Sequence, residues 1–261
     1  MRMLLEHPFV EIEDVIRGGG KSEAVIPRMV YQTWETRFIG KTHYKQIKEF
    51  QDINPDFDFI LFDKKNRDLY MQDYWGDHLI SEIYNNAQFG PMKADIFRYC
   101  ILYERGGVYF DISKGCSVPL KTLLAANVDG LLSFESGQSS YLPSLECMKT
   151  IQHPEKLFLQ WGMGFKKGHI ILQKMISNIC DYYPFYKGRV FESPKSAILQ
   201  FTGPGMFTKS VRDVASLNGL VNINQAGIDF NGHGIFEMKG AWARYSQVPP
   251  YEQSKSRVIV L

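Results

Sequence analysis

The stretch of sequence that decides the fold is residues 93–113, KADIFRYCILYERGGVYFDIS. Asp95 and Arg98 stand three residues apart in a predicted helix, so they share one face of it. The glycines at 106–107 end this helix, and the apolar run after them predicts a short strand with Asp111 at its carboxyl end. Ligands bind at that edge in open α/β sheets, so an acid, a guanidinium and a second acid are expected to converge on one pocket. A surface ion pair between Asp95 and Arg98 is the simpler alternative.

Outward from this stretch, strand and helix patterns alternate. Residues 26–32 contain an early proline and predict a first strand, residues 43–53 have helical spacing, and residues 57–62 predict a buried strand. This order is typical of an α/β layer. Further elements are predicted at residues 91–104 (helix), 108–111 (strand), 130–134 (strand), 169–182 (helix) and 205–217 (helix).

The chain is long enough for one sizeable domain. It has 261 residues and is 44% hydrophobic, which is sufficient to build a core. The three glycines at 18–20 form a flexible segment near the amino terminus. Residues 1–24 are therefore predicted to form a loose arm, and residues 25–261 a single domain.

The charge and the cysteines restrict the class of function. Thirty basic and 28 acidic residues give a net charge of +2, so no nucleic-acid partner is expected. No apolar stretch approaches the roughly 18 residues of a membrane span, and the acidic residues within positions 1–15 are not typical of a signal peptide. The four cysteines form no CxxC pair and are expected to be reduced thiols. We therefore expect a cytoplasmic protein.

The block at residues 95–113 resembles the DXD-containing sugar-transferase group of glycosyltransferase family 32 and, more distantly, the catalytic domain of the large clostridial glucosylating toxins. The shared pattern is a helix with Asp-x-x-Arg, followed by Leu-Tyr-x-x-Gly-Gly-x-Tyr-x-Asp-x-Asp, which ends here as Asp-Ile-Ser at residues 111–113. Residues 26–34, IPRMVYQTW, match the opening strand of the family. The resemblance extends, more weakly, over most of residues 25–242.

The resemblance implies an α/β, GT-A-like nucleotide-diphospho-sugar transferase fold, with a mixed central sheet flanked by helices. Trp34 would stack on or border the nucleotide base, and Asp95 and Arg98 would hold hydroxyls of the donor sugar. Asp111 would contact the ribose or the sugar and help to set a divalent metal, Mn²⁺ or Mg²⁺. The implied catalytic residues are Asp95, Arg98 and Asp111, and the implied donor-binding residues are Gln32, Thr33, Trp34, Asp95, Arg98, Tyr109, Lys114 and Trp242.

Ser113 departs from the family pattern, which has a second acidic residue at this position. A divalent ion at a diphosphate prefers carboxylate oxygens to a hydroxyl. Three explanations stay open. A metal is held by Asp111, Ser113 and Glu237 together with the donor phosphates; Lys114 supplies positive charge without a metal; or activity is lost. Glu237 and Lys114 have simpler interpretations as an exposed loop acid and a solvated loop cation.

Residues 240–242, GAW, stand where the family usually has Gly-Ser-Trp, so the hydroxyl is absent. Either one phosphate hydrogen bond is missing or the backbone supplies it. Trp242 is expected to close a C-terminal loop over the diphosphate, or else to belong to the core. Residues 181–191, DYYPFYKGRVF, combine five aromatic side chains with two cations. They are expected to hold a sugar acceptor or to touch lipid head groups at the inner face of a membrane, with a partly buried loop as the alternative.

The function implied by the resemblance is transfer of a sugar from a nucleotide-diphosphate sugar to a glycan or lipid-linked saccharide. UDP-sugars are favoured over GDP-mannose, and retention of anomeric configuration and a setting in surface polysaccharide synthesis are implied. Two alternatives stay open: a non-catalytic nucleotide-sugar or glycan-binding protein, which Ser113 favours, and a toxin-like enzyme that glycosylates a protein.

Overall fold

The structure is a computed structural model that describes residues 9–125, 127–137, 143–248 and 256–261. Within these ranges, a turn of left-handed backbone lies at Asp229–Gly232, and 3₁₀ turns lie at Gly19–Lys21 and Ala241–Ser246. The strands are β1 Phe9–Glu11, β2 Met29–Thr33, β3 Phe38–Gly40, β4 Asp58–Phe62, β5 Gly107–Phe110, β6 Gly115–Cys116, β7 Gly130–Phe134, β8 Gly162–Phe165, β9 Ile223–Ile228 and β10 Gly234–Ile235. The helices are α1 Lys41–Asp52, α2 Lys64–Trp75, α3 Leu79–Asn86, α4 Gly90–Arg105, α5 Leu120–Leu123, α6 Leu145–Thr150, α7 Ile170–Tyr186, α8 Pro194–Phe201 and α9 Pro204–Asn218.

The central sheet, as far as the described residues show it, has six strands in the order β4-β2-β5-β8-β7-β9. β2 is parallel to β4 and β5, and β7 is parallel to β9, whereas β8 is antiparallel to β5 and β7. The sheet is mixed and carries an apolar cluster on each face, which confirms the predicted α/β class. Because β2 and β5 are parallel neighbours, their carboxyl ends meet at one edge.

Side chains alternate along β5 between the two faces of the sheet. Val108 and Phe110 belong to the apolar cluster that contains residues of α1, whereas Tyr109 belongs to the cluster built with α4, α7 and α9. The four residues of β5 are all buried. Tyr109 therefore faces α4, which carries Asp95 and Arg98.

Two glycines make the turn from α4 into β5. Gly106 and Gly107 have φ angles of 69° and 112°, in the region that favours glycine. A Cβ atom on Gly107 would lie 2.8 Å from the carbonyl oxygen of Met29, and one on Gly106 would lie 2.6 Å from the backbone nitrogen of Lys167. This close packing fixes where β5 begins and where Asp111 follows it.

The predicted elements are present, with shifted ends. The strand predicted at 26–32 begins only at Met29, because the Met29 N–H donates to the Pro27 carbonyl oxygen in a tight turn. The helix predicted at 169–182 continues to Tyr186, because Tyr183 is buried and extends its apolar face.

Residues 9–21 are not the loose arm that the sequence predicts. β1 pairs with β3, and Ile12 is buried in the core. The Asp58 carboxylate accepts hydrogen bonds from the backbone N–H groups of Arg17, Gly18 and Gly20. The flexible glycine segment is thus held by a carboxylate that lies 40 residues away in sequence from Gly18. The prediction is wrong for this part, and residues 1–8 lie outside the described residues.

Candidate functional site

Two parallel strands and one helix bring the predicted residues to one edge of the central sheet. Trp34 directly follows β2, and Asp111 directly follows β5. Asp95 and Arg98 lie on the face of α4 that packs on the end of β5. This is the edge where open α/β sheets bind ligands, as the sequence predicts.

Arg98 is the centre of a buried ion-pair cluster, which we define as Asp95, Arg98 and Asp111. Its Nη2 atom lies 3.0 Å from Asp95 Oδ1 and 3.0 Å from Asp111 Oδ1. Its Nη1 atom donates to the carbonyl oxygen of Gln160 at 2.9 Å, and its guanidinium carbon lies 4.7 Å from the centroid of the Tyr109 ring. The predicted convergence of these three side chains is present. The alternative of a surface pair between Asp95 and Arg98 is wrong, since the Arg98 side chain is only 4% exposed.

Within the ion-pair cluster, the two acids differ in their access to solvent. The Asp111 side chain is 32% exposed, whereas Asp95 is buried and its Oδ2 accepts from the Thr202 hydroxyl at 2.9 Å. Burial raises the pKa of Asp95 to about 7, although Arg98 and Thr202 favour its charged form. Asp95 therefore holds Arg98 from behind, while Arg98 and Asp111 are the members that a ligand can touch.

A cavity of about 590 Å³ opens beside the ion-pair cluster. Arg98 and Asp111 border it on the side of β5, and Thr33 and Trp34 border it on the side of β2. Its volume lies in the usual range for small-molecule sites in proteins. Gln32, by contrast, is buried within β2 and is not among the residues that border it.

The aromatic wall of the cavity is formed by Trp34 and Tyr245, with ring centroids 6.1 Å apart. Arg244 contacts both rings, its guanidinium carbon lying 5.4 Å from the Trp34 centroid and 4.2 Å from the Tyr245 centroid. Arg244 is 7% exposed, and its Nε atom has no hydrogen-bond partner among the described residues. A buried donor without a partner is costly, by about 1–3 kcal/mol, so this group is a candidate for binding an anionic ligand oxygen.

Lys114 is held against protein and is not the freely solvated cation of its simpler interpretation. Its backbone N–H donates to the Asp111 carbonyl oxygen at 2.8 Å, and its Nζ atom donates to the Phe236 carbonyl oxygen. The same Nζ atom lies 5.7 Å from the ring centroids of both Trp161 and Phe236. Burial lowers the pKa of Lys114, against the effect of nearby acids. Its charged neighbours are Asp111, Glu237, Arg244 and Asp229.

The predicted metal ligands form a poor donor set. Asp111 Oδ1 already accepts from the Tyr109 hydroxyl at 2.8 Å and pairs with the guanidinium of the ion-pair cluster. Ser113 is buried and neutral, while Glu237 is 57% exposed and pairs with Arg244 at 3.6 Å. In the described part of the chain, no three His, Cys, Asp or Glu side chains are grouped so that they could hold a metal ion. A hard divalent ion prefers several carboxylate oxygens, so these residues do not fit it.

The C-terminal loop, which we define as residues 233–248, packs on the motif but leaves its tryptophan exposed. The Met238 N–H donates to the Ser113 carbonyl oxygen at 2.8 Å, which places Glu237 beside the motif. A metal ligand shared with Asp111 and Ser113 would have to lie there. Trp242 is 71% exposed and is not among the residues that border the cavity. The alternative that places it in the core is wrong, and its closure over a diphosphate stays a prediction.

Among the cavity residues that sequence reasoning missed are Glu35, Arg67, Arg244 and Tyr245. Arg67 is buried and donates to Glu35 Oε1 at 2.8 Å, and both border the cavity next to Thr33. Arg67 lies in a polar helix without any motif, so no local signal marks it. Arg244 and Tyr245 directly follow the segment around the predicted Trp242, and that proximity is the one signal that the sequence offers.

The sequence profile described as "Glycosyltransferase sugar-binding region containing DXD motif" matches residues 40–129. The predicted resemblance is confirmed. The matched segment includes α4, β5 and all three members of the ion-pair cluster, so the shared pattern and the geometry concern the same residues.

Two curated yeast proteins are similar to the chain. Inositol phosphoceramide mannosyltransferase 3 of Schizosaccharomyces pombe is 28% identical over 183 residues, which are 69% of this chain and 43% of that protein. Initiation-specific alpha-1,6-mannosyltransferase of Candida albicans is 28% identical over 207 residues, which are 71% of this chain and 52% of that protein. The chain spans about half the length of these relatives. Both relatives are named as mannosyltransferases.

Among solved structures, the PaToxG glycosyltransferase is similar with a TM-score of 0.51 and 14% identity. The likeness covers 74% of this chain and 72% of that one. At this identity it bears on the fold alone, and it confirms the predicted GT-A-like fold. A separate observation is that none of the helices in the described residues is long and apolar enough to cross a membrane.

Proposed function

We propose that the chain transfers a hexosyl group from a nucleotide-diphosphate sugar to a hydroxyl of a glycan or a lipid-linked acceptor. One observation carries the proposal. A single cavity joins an aromatic wall, Trp34 and Tyr245, to the solvent-facing side of the Arg98–Asp111 ion pair, at the carboxyl ends of two parallel strands. A nucleotide-diphosphate sugar needs an aromatic surface for its base and charged groups for its diphosphate and its sugar hydroxyls, and this cavity offers both.

Each part of the cavity supplies one kind of recognition. The Trp34 ring offers a face to the base, with stacking of about 1–3 kcal/mol. The guanidinium groups of Arg98 and Arg244 suit paired oxygens, because their planar forks donate two parallel hydrogen bonds. The Asp111 carboxylate is 32% exposed and borders the cavity, so it can accept from a sugar or ribose hydroxyl. Asp95 holds Arg98 in place, which preorganises the donors before the ligand arrives.

For the donor we propose a UDP-sugar, on the resemblance of residues 95–113, with retention of the anomeric configuration. The named relatives are mannosyltransferases, so GDP-mannose is the competing donor. The name of the fission-yeast relative includes inositol phosphoceramide, which supports a lipid-linked acceptor here. A cytoplasmic location at the inner face of a membrane, in the synthesis of a surface glycan, is the setting that we propose.

The first test is release of free nucleotide from a panel of UDP- and GDP-sugars. We expect hydrolysis of one donor, and a loss of about 100-fold in its rate for Asp111→Asn, since a preorganised polar group at the reacting centre is typically worth that much. Asp77→Asn, at an exposed position that does not border the cavity, is the matched control and is expected to keep the wild-type rate. Tight donor binding without turnover, with acceptors present, would instead support the non-catalytic binding protein that Ser113 favours.

Retention has its own measurement. Proton NMR of the sugar released at early times identifies the first anomer formed, before mutarotation mixes the two. The anomer of the donor supports retention, and the opposite anomer excludes it. Labelling of acceptor fractions with a radioactive donor separates lipid-linked products from glycosylated protein, the toxin-like alternative.

A further inference from the structure

Positions 113 and 114 change the charge at the place where the family pattern has its second acid. Ser113 is neutral, and Lys114 adds one positive charge next to it. A site with an acid at 113 and a neutral residue at 114 would be more negative by two charges. One divalent cation compensates two negative charges. Ser113 and Lys114 together therefore make the local charge more positive by the same amount as a bound divalent cation would.

The Lys114 ammonium group is also fixed in position. The hydrogen bond from the Lys114 N–H to the Asp111 carbonyl oxygen folds residues 111–114 into a turn. Asp111 and Ser113 of this turn border the cavity, and Lys114 directly follows them without being among the lining residues. The Phe236 carbonyl oxygen and the rings of Trp161 and Phe236 then hold the Nζ atom. A preorganised cation stabilises developing charge better than one that must first be ordered.

Arg244 provides a second cation, and this one borders the cavity itself. It borders the cavity together with Asp111 and Ser113, and it is a charged neighbour of Lys114. Its Nε atom is buried and has no hydrogen-bond partner among the described residues. Two cations with fixed positions, Lys114 and Arg244, therefore lie near the motif whose side chains are poor metal ligands. The Nε–H of Arg244 is in addition available to a ligand oxygen.

We infer that Lys114, with Arg244 beside it, stabilises the leaving diphosphate in place of a divalent cation. The inference rests on the proposed function and deepens it: it assigns this chain to metal-independent sugar transfer. Of the three explanations that Ser113 leaves open, it selects the second.

These cations assist the cleavage of the bond between the donor sugar and the diphosphate. The bond between the anomeric carbon and the β-phosphate oxygen breaks, and its electron pair leaves with the phosphate. A bond forms from the anomeric carbon to the acceptor hydroxyl oxygen, or to water in hydrolysis, and the proton of that hydroxyl passes to solvent. The nucleoside diphosphate gains negative charge as it leaves, and the role inferred for Lys114 and Arg244 is to offset this charge.

The experiment combines turnover with two binding measurements on the full chain. Donor hydrolysis is measured with EDTA, with Mn²⁺ and with Mg²⁺. Binding of UDP and GDP is measured by calorimetry under the same conditions, and binding of Mn²⁺ alone by electron paramagnetic resonance. The variants are Lys114→Met, Lys114→Arg and Ser113→Asp, with Lys121→Met, an exposed lysine paired with Asp56, as the control.

We expect hydrolysis and nucleotide affinity that EDTA leaves unchanged within about twofold, and no Mn²⁺ binding in the millimolar range. Lys114→Met should lose about 100-fold in hydrolysis, Lys114→Arg less than tenfold, and Lys121→Met nothing. Ser113→Asp should gain Mn²⁺ binding, because it restores a second carboxylate. Hydrolysis that EDTA abolishes and Mn²⁺ restores would overturn the inference, and so would a wild-type rate in Lys114→Met.

The binding arm separates this inference from the proposed function. If no donor is hydrolysed but Lys114→Met weakens UDP or GDP binding at least tenfold in EDTA, the cation role stands and the enzyme role falls. If wild-type nucleotide binding requires Mn²⁺, the cation role falls whether or not turnover is seen. If neither nucleotide binds under any condition, both fail. Circular dichroism of each variant confirms that it is folded.

Discussion

The ion-pair cluster and the C-terminal loop meet at one cavity, yet the chain holds them in opposite ways. Arg98 is 4% exposed and is fixed by two carboxylates, a carbonyl oxygen and an aromatic ring. Trp242 in the loop is 71% exposed. The cluster lies on a helix and at the end of a buried strand, while the loop has only short strand and 3₁₀ segments.

The two regions therefore differ in how their side chains are held. Buried charge pairs fix the side chains of the cluster, whereas the tryptophan of the loop is exposed to solvent. Buried ionised groups must be paired, so the cluster keeps one geometry whether or not a ligand is present. The loop joins the motif through the Met238 N–H, which donates to the Ser113 carbonyl oxygen, and it combines a buried cation, Arg244, with the exposed Glu237. The cluster is therefore expected to govern stability and the loop to govern binding.

The largest expected effect is on the cluster. Arg98→Met leaves two buried or half-buried carboxylates without their cation, so we expect a loss of about 3–5 kcal/mol in the free energy of unfolding. Urea denaturation of the purified variant measures it. Lys64→Met is the control, because it breaks an exposed pair with Asp68 and should cost less than about 1 kcal/mol. Equal losses in the two variants would show that the buried cluster contributes no more to stability than an exposed pair does.

The next effect is on pH dependence, through two buried histidines. Burial lowers the pKa of His43 and of His169 to about 4, below the ordinary value of 6.5. The unfolded chain therefore binds these protons first, so stability is complete above about pH 6.5 and falls as the pH decreases toward 4. We expect about 2 kcal/mol per histidine between pH 6.5 and 5. Asp95, with its raised pKa, acts in the opposite direction in that window.

Variants resolve the two contributions. His43 lies under the C-terminal loop and bonds the Ile112 carbonyl oxygen, whereas His169 caps α7 by accepting from the Ile171 N–H. His43→Gln and His169→Asn keep a polar group at each position, and each should flatten the decline in unfolding free energy between pH 6.5 and 5. An unchanged slope in both variants would show that other groups cause the pH dependence.

The smallest expected effect is on binding and compares two tryptophans. Trp34→Ala removes one of the two rings of the aromatic wall and should weaken nucleoside diphosphate binding about tenfold, as measured by calorimetry. Trp242→Ala removes an exposed ring and should change that affinity less than twofold if the loop stays as it is in this structure. An equal loss in Trp242→Ala would mean that the loop closes on the ligand, as the family resemblance predicts for this residue.

The core of the site could be predicted from sequence because it depends on local patterns. The helix spacing of Asp95 and Arg98, the glycine pair and Asp111 after a short strand lie within one segment of 21 residues. The two partners that complete the site, Arg67 and Arg244, lie far along the chain from this segment. Their burial depends on contacts between distant elements, such as that of Arg67 with Tyr84, which no local periodicity encodes.

The sequence by itself determined the alternation of strands and helices, the converging charged residues and the departure at Ser113, because each is a property of neighbours in the chain. Tertiary structure decided the rest. It fastened residues 9–21 to the domain through Asp58, placed Asp95 behind Arg98 and held Lys114 against Phe236. It also left Trp242 exposed. Burial and pairing of charged groups are set by the whole packed chain, and a linear pattern specifies neither.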